Sequence, residues 1–309
     1  MNAPARSLVL GTDWWSDCDD AVALRVLCRA HKEGLVSLKG IVINACMRDS
    51  AASLSAFIKT EGITVPIALD RRAVGFSGIP SYQKNLAKLP HDTDNETAEN
   101  PVRLYRRILA QSTDRVDIAE IGFLQALAAF LESPADDISP MTGRELIVSK
   151  VGTLWIMGGK YDEPIGAEHN FNLNETARSG AEKVLRLWPR PVVLLGFETG
   201  CSVISGGMLP ADDVLADVLK DHGHSQGRSS WDPMLVLLAI CGEPALAGYD
   251  TVRGTVQVSA VSGENTFQPN QNGLHTYVVK KYPDHYYSDW INRIIGNERG
   301  KNVFLAENA

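Results

Sequence analysis

Residues 8–24 read "LVLGTDWWSDCDDAVAL". The apolar run Leu8–Leu10 has strand character, and the apolar residues after Asp20 recur at helical spacing, so the stretch predicts a strand feeding directly into a helix. Between the two stand Asp13, Asp17, Asp19 and Asp20, beside Trp14 and Trp15. A helix N-terminus tolerates carboxylates, so capping accounts for one of them, or two. It does not account for all four, because carboxylates crowded between buried segments repel one another. A hard divalent cation held by several carboxylate oxygens does account for them. The spacing is not that of an EF-hand loop, and the Gly-rich lysine loop of a nucleotide-phosphate binder is missing.

Outward from this stretch the strand–helix alternation continues. "VSLKGIVINA", "VPIAL", "RVDIAEIG", "TLWIMGG" and "RPVVLLGFETG" read as strands, with helical segments such as "DSAASLSAFIKTEG", "FLQALAAFLES" and "ETARSGAEKVLRLW" among them. The pattern predicts an α/β fold: an open, mostly parallel, Rossmann-like sheet with helices on both faces. "WDPMLVLLAIC" reads as a buried helix starting at Asp232, with Pro233 suited to its first turn. Beyond Gly248, "DTVRGTVQVSA" and "GLHTYVVKKY" read as an antiparallel pair and "HYYSDWINRIIGN" as a closing helix. "KLPHDTDNETAENP" is polar enough for an exposed loop or lid. With no internal repeat or linker in evidence, a single domain over 1–309 is expected.

In an open α/β sheet, ligands bind at the carboxyl ends of the strands, which is where Asp13 falls. The formal net charge of −7 excludes a general nucleic-acid or anionic-membrane binder, which would carry a basic face, but not a small nucleoside substrate. No apolar stretch approaches the ~20 residues of a membrane span. Five cysteines without regular spacing read as reduced thiols, which favours a cytoplasmic protein.

"GTDWWSDCDDAVAL" resembles the amino-terminal fingerprint of the inosine-uridine preferring nucleoside hydrolases: Thr-Asp, then Asp-Asp-Ala and an apolar helix. Three later stretches resemble that family in the same order. They are "EIGFLQALAAFL", "WIMGGKYDEPIGAEHNFNLNETA" and "SSWDPMLVLLAI". The resemblance spans Leu8 to about Gly242. It implies the nucleoside hydrolase fold and calcium-dependent hydrolysis of the N-glycosidic bond of ribonucleosides. It also implies Ca²⁺ as cofactor and a homodimer or homotetramer.

Residue by residue, the resemblance makes Asp13 a metal ligand and the general base that activates the attacking water. Asp20 and Asp232 become metal ligands, and Ile121 contributes its backbone carbonyl where the family has Thr. Asp19 grips a ribose hydroxyl, and Met157, Glu168 and Asn170 line the ribose pocket. Asn44, after the second strand, matches a further ribose-binding Asn. The types suit the chemistry: an oxocarbenium-like transition state needs a positioned water and a firmly held sugar. Each has a plainer reading. Asp232 could be an N-cap, Glu168 and Asn170 could cap the next helix, Met157 could end a core strand, and Cys18 could be a small packing residue. Trp155 and Trp188 suit the core.

Two departures from the family matter. Asp17 and the Trp14–Trp15 pair lengthen the loop between Thr-Asp and Asp-Asp. Trp231 stands before Asp232 where inosine-uridine enzymes often carry a histidine, whereas purine-preferring members have tryptophan there. Trp231 is therefore expected to stack on the base and assist its departure, with a purine bias. His222 and His224, in "DHGHSQGRSSW", stand in a Gly-rich loop within possible reach of the leaving group. Two alternatives stay open: a non-catalytic nucleoside- or sugar-binding relative, and a metal-dependent phosphoesterase.

Overall fold

The computed structural model describes residues 5–15, 17–73, 81–164, 166–296 and 300–304. The chain runs β1 (Arg6–Thr12), α1 (Asp19–Lys32), β2 (Val36–Ile43), α2 (Ser50–Thr60), β3 (Ile67–Leu69), α3 (Ser81–Leu86) and α4 (Pro101–Gln111). It continues through β4 (Val116–Glu120), α5 (Gln125–Leu131), α6 (Gly143–Lys150), β5 (Val151–Met157), α7 (His169–Asn172), α8 (Glu175–Leu187) and β6 (Val192–Leu195). Next come α9 (Phe197–Gly200), β7 (Ile204–Ser205), α10 (Val214–Asp221), β8 (Arg228–Ser229) and α11 (Trp231–Cys241). β9 (Tyr249–Val258), β10 (Asn265–Pro269), β11 (His275–Lys280) and α12 (Asp284–Ile295) close it.

The main sheet has the order β10-β9-β11-β6-β5-β4-β1-β2-β3. From β11 to β3 neighbouring strands pair in parallel, while β9 and β10 add an antiparallel edge. Side chains alternate across β1: Leu8 and Leu10 join a core with α1, α11 and α12, and Val9 joins the opposite core with α4, α5 and α8. Helices therefore cover both faces, as the near-continuous apolar strands predict. No helix among the described residues is long and apolar enough to cross a membrane.

The connection out of β1 leads to β2 on one side, and the chain later returns as β4 on the other. The point where the order reverses leaves a crevice beyond the strand ends. Two backbone bonds extend the ladders into it: Ile121 N–H to Gly11 O and Asn44 N–H to Thr12 O, each 2.9 Å. Gly122 is required by close approach. A Cβ there would lie 2.6 Å from Asn44 Oδ1 and against the Asp13 amide.

The segment 88–101 is a loop but not a lid over this crevice. Asn95 Oδ1 accepts from Ala51 N–H at 2.9 Å, and Ser55 Oγ accepts from Asp92 N–H at 3.0 Å, which pins the loop against α2. The helix expected from Asp232 starts one residue earlier, with Ser230 as its cap residue and Asp232 inside its first turn.

Candidate active site

The crevice holds a cavity of about 300 Å³. Asp13, Asp19, Asp20, Ile121, Met157, Glu168, Asn170, Trp231 and Asp232, nine of the ten site residues expected from the sequence, line it. Asp13 follows β1, Asp19 and Asp20 open α1, and Asp232 opens α11. Side-chain oxygens of Asp19, Asp20 and Asp232 lie within 4.8 Å of one another. All four aspartates are buried.

Local bonds fix the cluster. Thr12 Oγ1 donates to Asp20 Oδ1, and Trp15 N–H donates to Asp13 Oδ1 at 3.0 Å. Asp232 N–H donates to Asp19 Oδ2 at 3.1 Å, tying the first turns of α1 and α11 together. The positive ends of two helices thus meet at the carboxylates. Trp14 takes the left-handed backbone conformation, φ +50°, that turns the chain back toward α1. Its indole is buried and donates to Ser53 Oγ at 2.8 Å. Trp14 is therefore core, while Trp15 lines the cavity.

Burial raises the Asp13 carboxyl well above its ordinary range, and the charge of Asp20 adds to this. Asp19 and Asp232 are raised by burial first and by their neighbouring aspartates next. Burial carries Asp20 up to about 7, partly offset by the Thr12 hydrogen bond. Asp17 is the exception. Burial pushes it up, but hydrogen bonds from Arg228 outweigh this and hold it low. Arg228 grips Asp17 with Nε at 2.8 Å from Oδ1 and Nη2 at 2.5 Å from Oδ2.

Glu168 accepts from Gly159 N–H at 3.0 Å and Asn170 N–H at 2.8 Å, capping the short α7 as it faces the cavity. Burial carries it to about 7 against those amides. Asn170 Nδ2 donates to the carbonyls of Met157 at 3.1 Å and Ile121 at 3.3 Å, which joins the ends of β4 and β5.

Asn44 departs from expectation. It is fully buried and absent from the cavity lining. Its Nδ2 donates to Glu120 Oε1 at 2.7 Å and its Oδ1 accepts from Phe123 N–H at 2.9 Å. Its side chain is committed to the turn that carries Ile121, and so it supports the site from below. His222 and His224 are likewise outside the cavity lining. Trp155 and Trp188 are core.

Phe197 and Arg228 also line the cavity, and sequence reasoning does not single them out. Phe197 opens α9 just beyond β6 and stacks on Trp231, with centroids 5.4 Å apart at 29°. Trp231 Nε1 donates to the Phe197 carbonyl at 2.7 Å, and the Arg228 guanidinium lies 5.3 Å from the indole centroid. The position of Phe197 at a strand's carboxyl end was the signal available for it. Nothing in "QGRSSW" marks Arg228 as a cavity residue.

The carboxylates of Asp19, Asp20 and Asp232, brought together from the first turns of α1 and α11, buried and mutually repelling, fit a hard divalent cation such as calcium, and Asp13 lines the same cavity. The thiol and imidazole groups nearby are not part of that set.

No family sequence model and no curated protein matches the chain. Solved structures do. A plant nucleoside hydrolase superposes with TM-score 0.72 at 15% identity, covering 96% of this chain and 100% of that one. A purine-preferring ribonucleoside hydrolase from Gardnerella vaginalis superposes with TM-score 0.70 at 18% identity, over 94% and 98%. The type III effector XopQ, solved with adenosine diphosphate ribose, gives 0.67 at 13%, over 97% and 95%. With an acidic crevice at the point where the strand order reverses, and with likeness over nearly the whole of each chain, the fold of this protein is that of the nucleoside hydrolases.

Proposed function

We propose that the chain hydrolyses the N-glycosidic bond of ribonucleosides, giving ribose and the free base, with Ca²⁺ as its cofactor. The observation that carries this reading is the convergence of Asp13, Asp19, Asp20 and Asp232 in one buried crevice of this fold, opposite Glu168 and Asn170. Asp13, Asp20, Asp232 and the Ile121 carbonyl would hold the ion. When bound, it supplies the positive charge that offsets the carboxylates and acidifies water beside them.

The remaining work falls to the chain's own groups. Asp13, fixed by the Trp15 amide, takes the proton of a water as that water attacks the anomeric carbon. The new carbon–oxygen bond replaces the carbon–nitrogen bond, whose electron pair leaves with the base. The base is then protonated from solvent. Asp19, Glu168 and Asn170 orient the ribose hydroxyls, with Met157 packing beside them. Trp231, backed by Phe197, offers an aromatic surface that favours a purine. A cytoplasmic homodimer or homotetramer belongs to the same proposal.

The phosphoesterase alternative is disfavoured because Arg228, the cation in the described lining, is already spent on Asp17. A binding-only role draws support from the likeness to the effector solved with adenosine diphosphate ribose. A reducing-sugar assay over a panel of ribonucleosides, with calcium and with chelator, separates the readings. Calcium-dependent release of ribose and base in equal amounts is expected. Saturable binding with no ribose released would establish the binding-only role.

A further inference from the structure

The loop between α10 and β8 brings two imidazoles against the residue that precedes α1. His222 Nδ1 and His224 Nδ1 lie 2.9 Å apart, with the rings inclined at 30°. Cys18 is buried at the same place, and its Sγ and one nitrogen of each histidine all fall within 4.8 Å of one another. Both histidines are half-buried, and none of the three lines the acidic cavity. The cleavage chemistry proposed above does not use them.

We propose that Cys18, His222 and His224 form a second metal site, separate from the acidic one, for a borderline-soft divalent transition metal such as zinc. One thiolate and two imidazoles are the donors that zinc prefers, whereas calcium takes oxygen. The spacing is close to what such an ion needs. Two nitrogens about 2.05 Å from one ion and 2.9 Å apart subtend roughly a right angle, and widening the pair by about 0.4 Å reaches the tetrahedral value. A proton shared between the imidazoles would explain their approach without metal. It does not involve the Cys18 thiol, whose Sγ lies within 4.8 Å of a nitrogen of each ring.

Asp17 N-terminal to the thiol is held by Arg228, so a tetrahedral ion would complete its coordination with water or an incoming ligand. Binding breaks the Cys18 S–H bond, forms a sulfur–metal bond and releases one proton to solvent, with no change of oxidation state. The site would staple the start of α1, which carries Asp19 and Asp20, to the loop that leads into Arg228, Trp231 and Asp232. Metal occupancy would thus bear on the order of the acidic site without any ligand being shared.

The test uses the full chain with excess Ca²⁺ present to fill oxygen-only sites, and Co²⁺ as the spectroscopic probe. Wild-type protein is expected to bind one equivalent of Co²⁺ with a thiolate-to-metal charge-transfer band in the near ultraviolet, bleached by Zn²⁺. Cys18→Ser should lose the band, and His224→Gln should weaken Zn²⁺ binding tenfold or more. His224 is half-buried, so its variant keeps the test open if Cys18→Ser fails to fold. Zn²⁺ should also protect Cys18 from alkylation in peptide maps, relative to Cys28, Cys46, Cys201 and Cys241. Absence of the charge-transfer band in wild type, or unchanged Zn²⁺ affinity in His224→Gln, would overturn the proposal.

Discussion

Asn44→Ala separates support of the site from contact with substrate. The substitution removes the donor to Glu120 Oε1 and the acceptor of Phe123 N–H, both in fully buried surroundings. The Phe123 N–H loses its buried acceptor, which costs about 1–3 kcal/mol, Glu120 Oε1 is left with the Gly122 amide at 3.2 Å, and the space left beside Gly122 adds to the cost. The lost acceptor, the weakened Glu120 contact and the vacated space together come to roughly 2–5 kcal/mol, a large part of the 5–15 kcal/mol typical of a folded domain. At about 2 °C per kcal/mol for a chain of this size, Tm should fall by roughly 4–10 °C. Because the same turn presents the Ile121 carbonyl, kcat should fall as well, while KM for the nucleoside changes little. Asn44→Asp keeps an acceptor for Phe123 N–H but sets a second carboxyl against Glu120, so its Tm should fall between the two. Thermal unfolding followed by steady-state kinetics on one preparation reads all of these. An unchanged Tm with KM raised tenfold or more would show that Asn44 faces the sugar, and would refute the placement.

Other expectations are equally direct. Trp231→Ala should lower kcat/KM for inosine by about 5- to 150-fold, the equivalent of ~1–3 kcal/mol of base stacking, and for uridine by less. An equal loss for both with a large fall in Tm would make Trp231 a packing residue only. Burial lowers His275 to about 4, and its Nδ1 accepts from Val256 N–H at 2.8 Å. A depressed histidine stabilises the fold above its unfolded value near 6.5 and ceases to as pH falls toward 4, so about 3 kcal/mol should be lost across that window. The loss should flatten in His275→Gln, and identical pH–Tm profiles would contradict the assignment. Calcium should raise the Tm of the wild type and do so less in Asp232→Asn, as scanning calorimetry with and without chelator would read; equal shifts would remove Asp232 from the ligand set.

Much of this was legible because the strong signals are local. The β1–α1 stretch shows an apolar run, then carboxylates, then helical spacing, and the structure places it where the strand order of the sheet reverses. Gly34, at φ +68°, lies just past the end of α1, where a glycine in the left-handed region is a readable stop signal. β10 went unread because an edge strand with one polar face, ending in Pro269, lacks the apolar alternation of a central strand. α4 carried a readable start, an Asn100 cap followed by Pro101, and α6 carried a capping box from Thr142 and Glu145. Asn44 is ambiguous for a different reason: an Asn at a strand's carboxyl end looks the same in sequence whether it turns to the ligand or to a neighbouring turn. Phe197, Arg228 and the Cys18–His222–His224 group are brought together by tertiary contacts between distant segments, which one-dimensional spacing does not encode.

The measurement that bears most directly on the proposed activity is ribose release by Asp13→Asn, with calcium binding checked by calorimetry on the same sample. Asparagine keeps the size of the side chain and an oxygen for the Trp15 amide, but it cannot take a proton from water. The expected result is a variant that folds and binds calcium, with kcat lowered by about 10²–10⁴. Turnover within tenfold of wild type at equal calcium occupancy would contradict the role of Asp13, and with it the proposed mechanism.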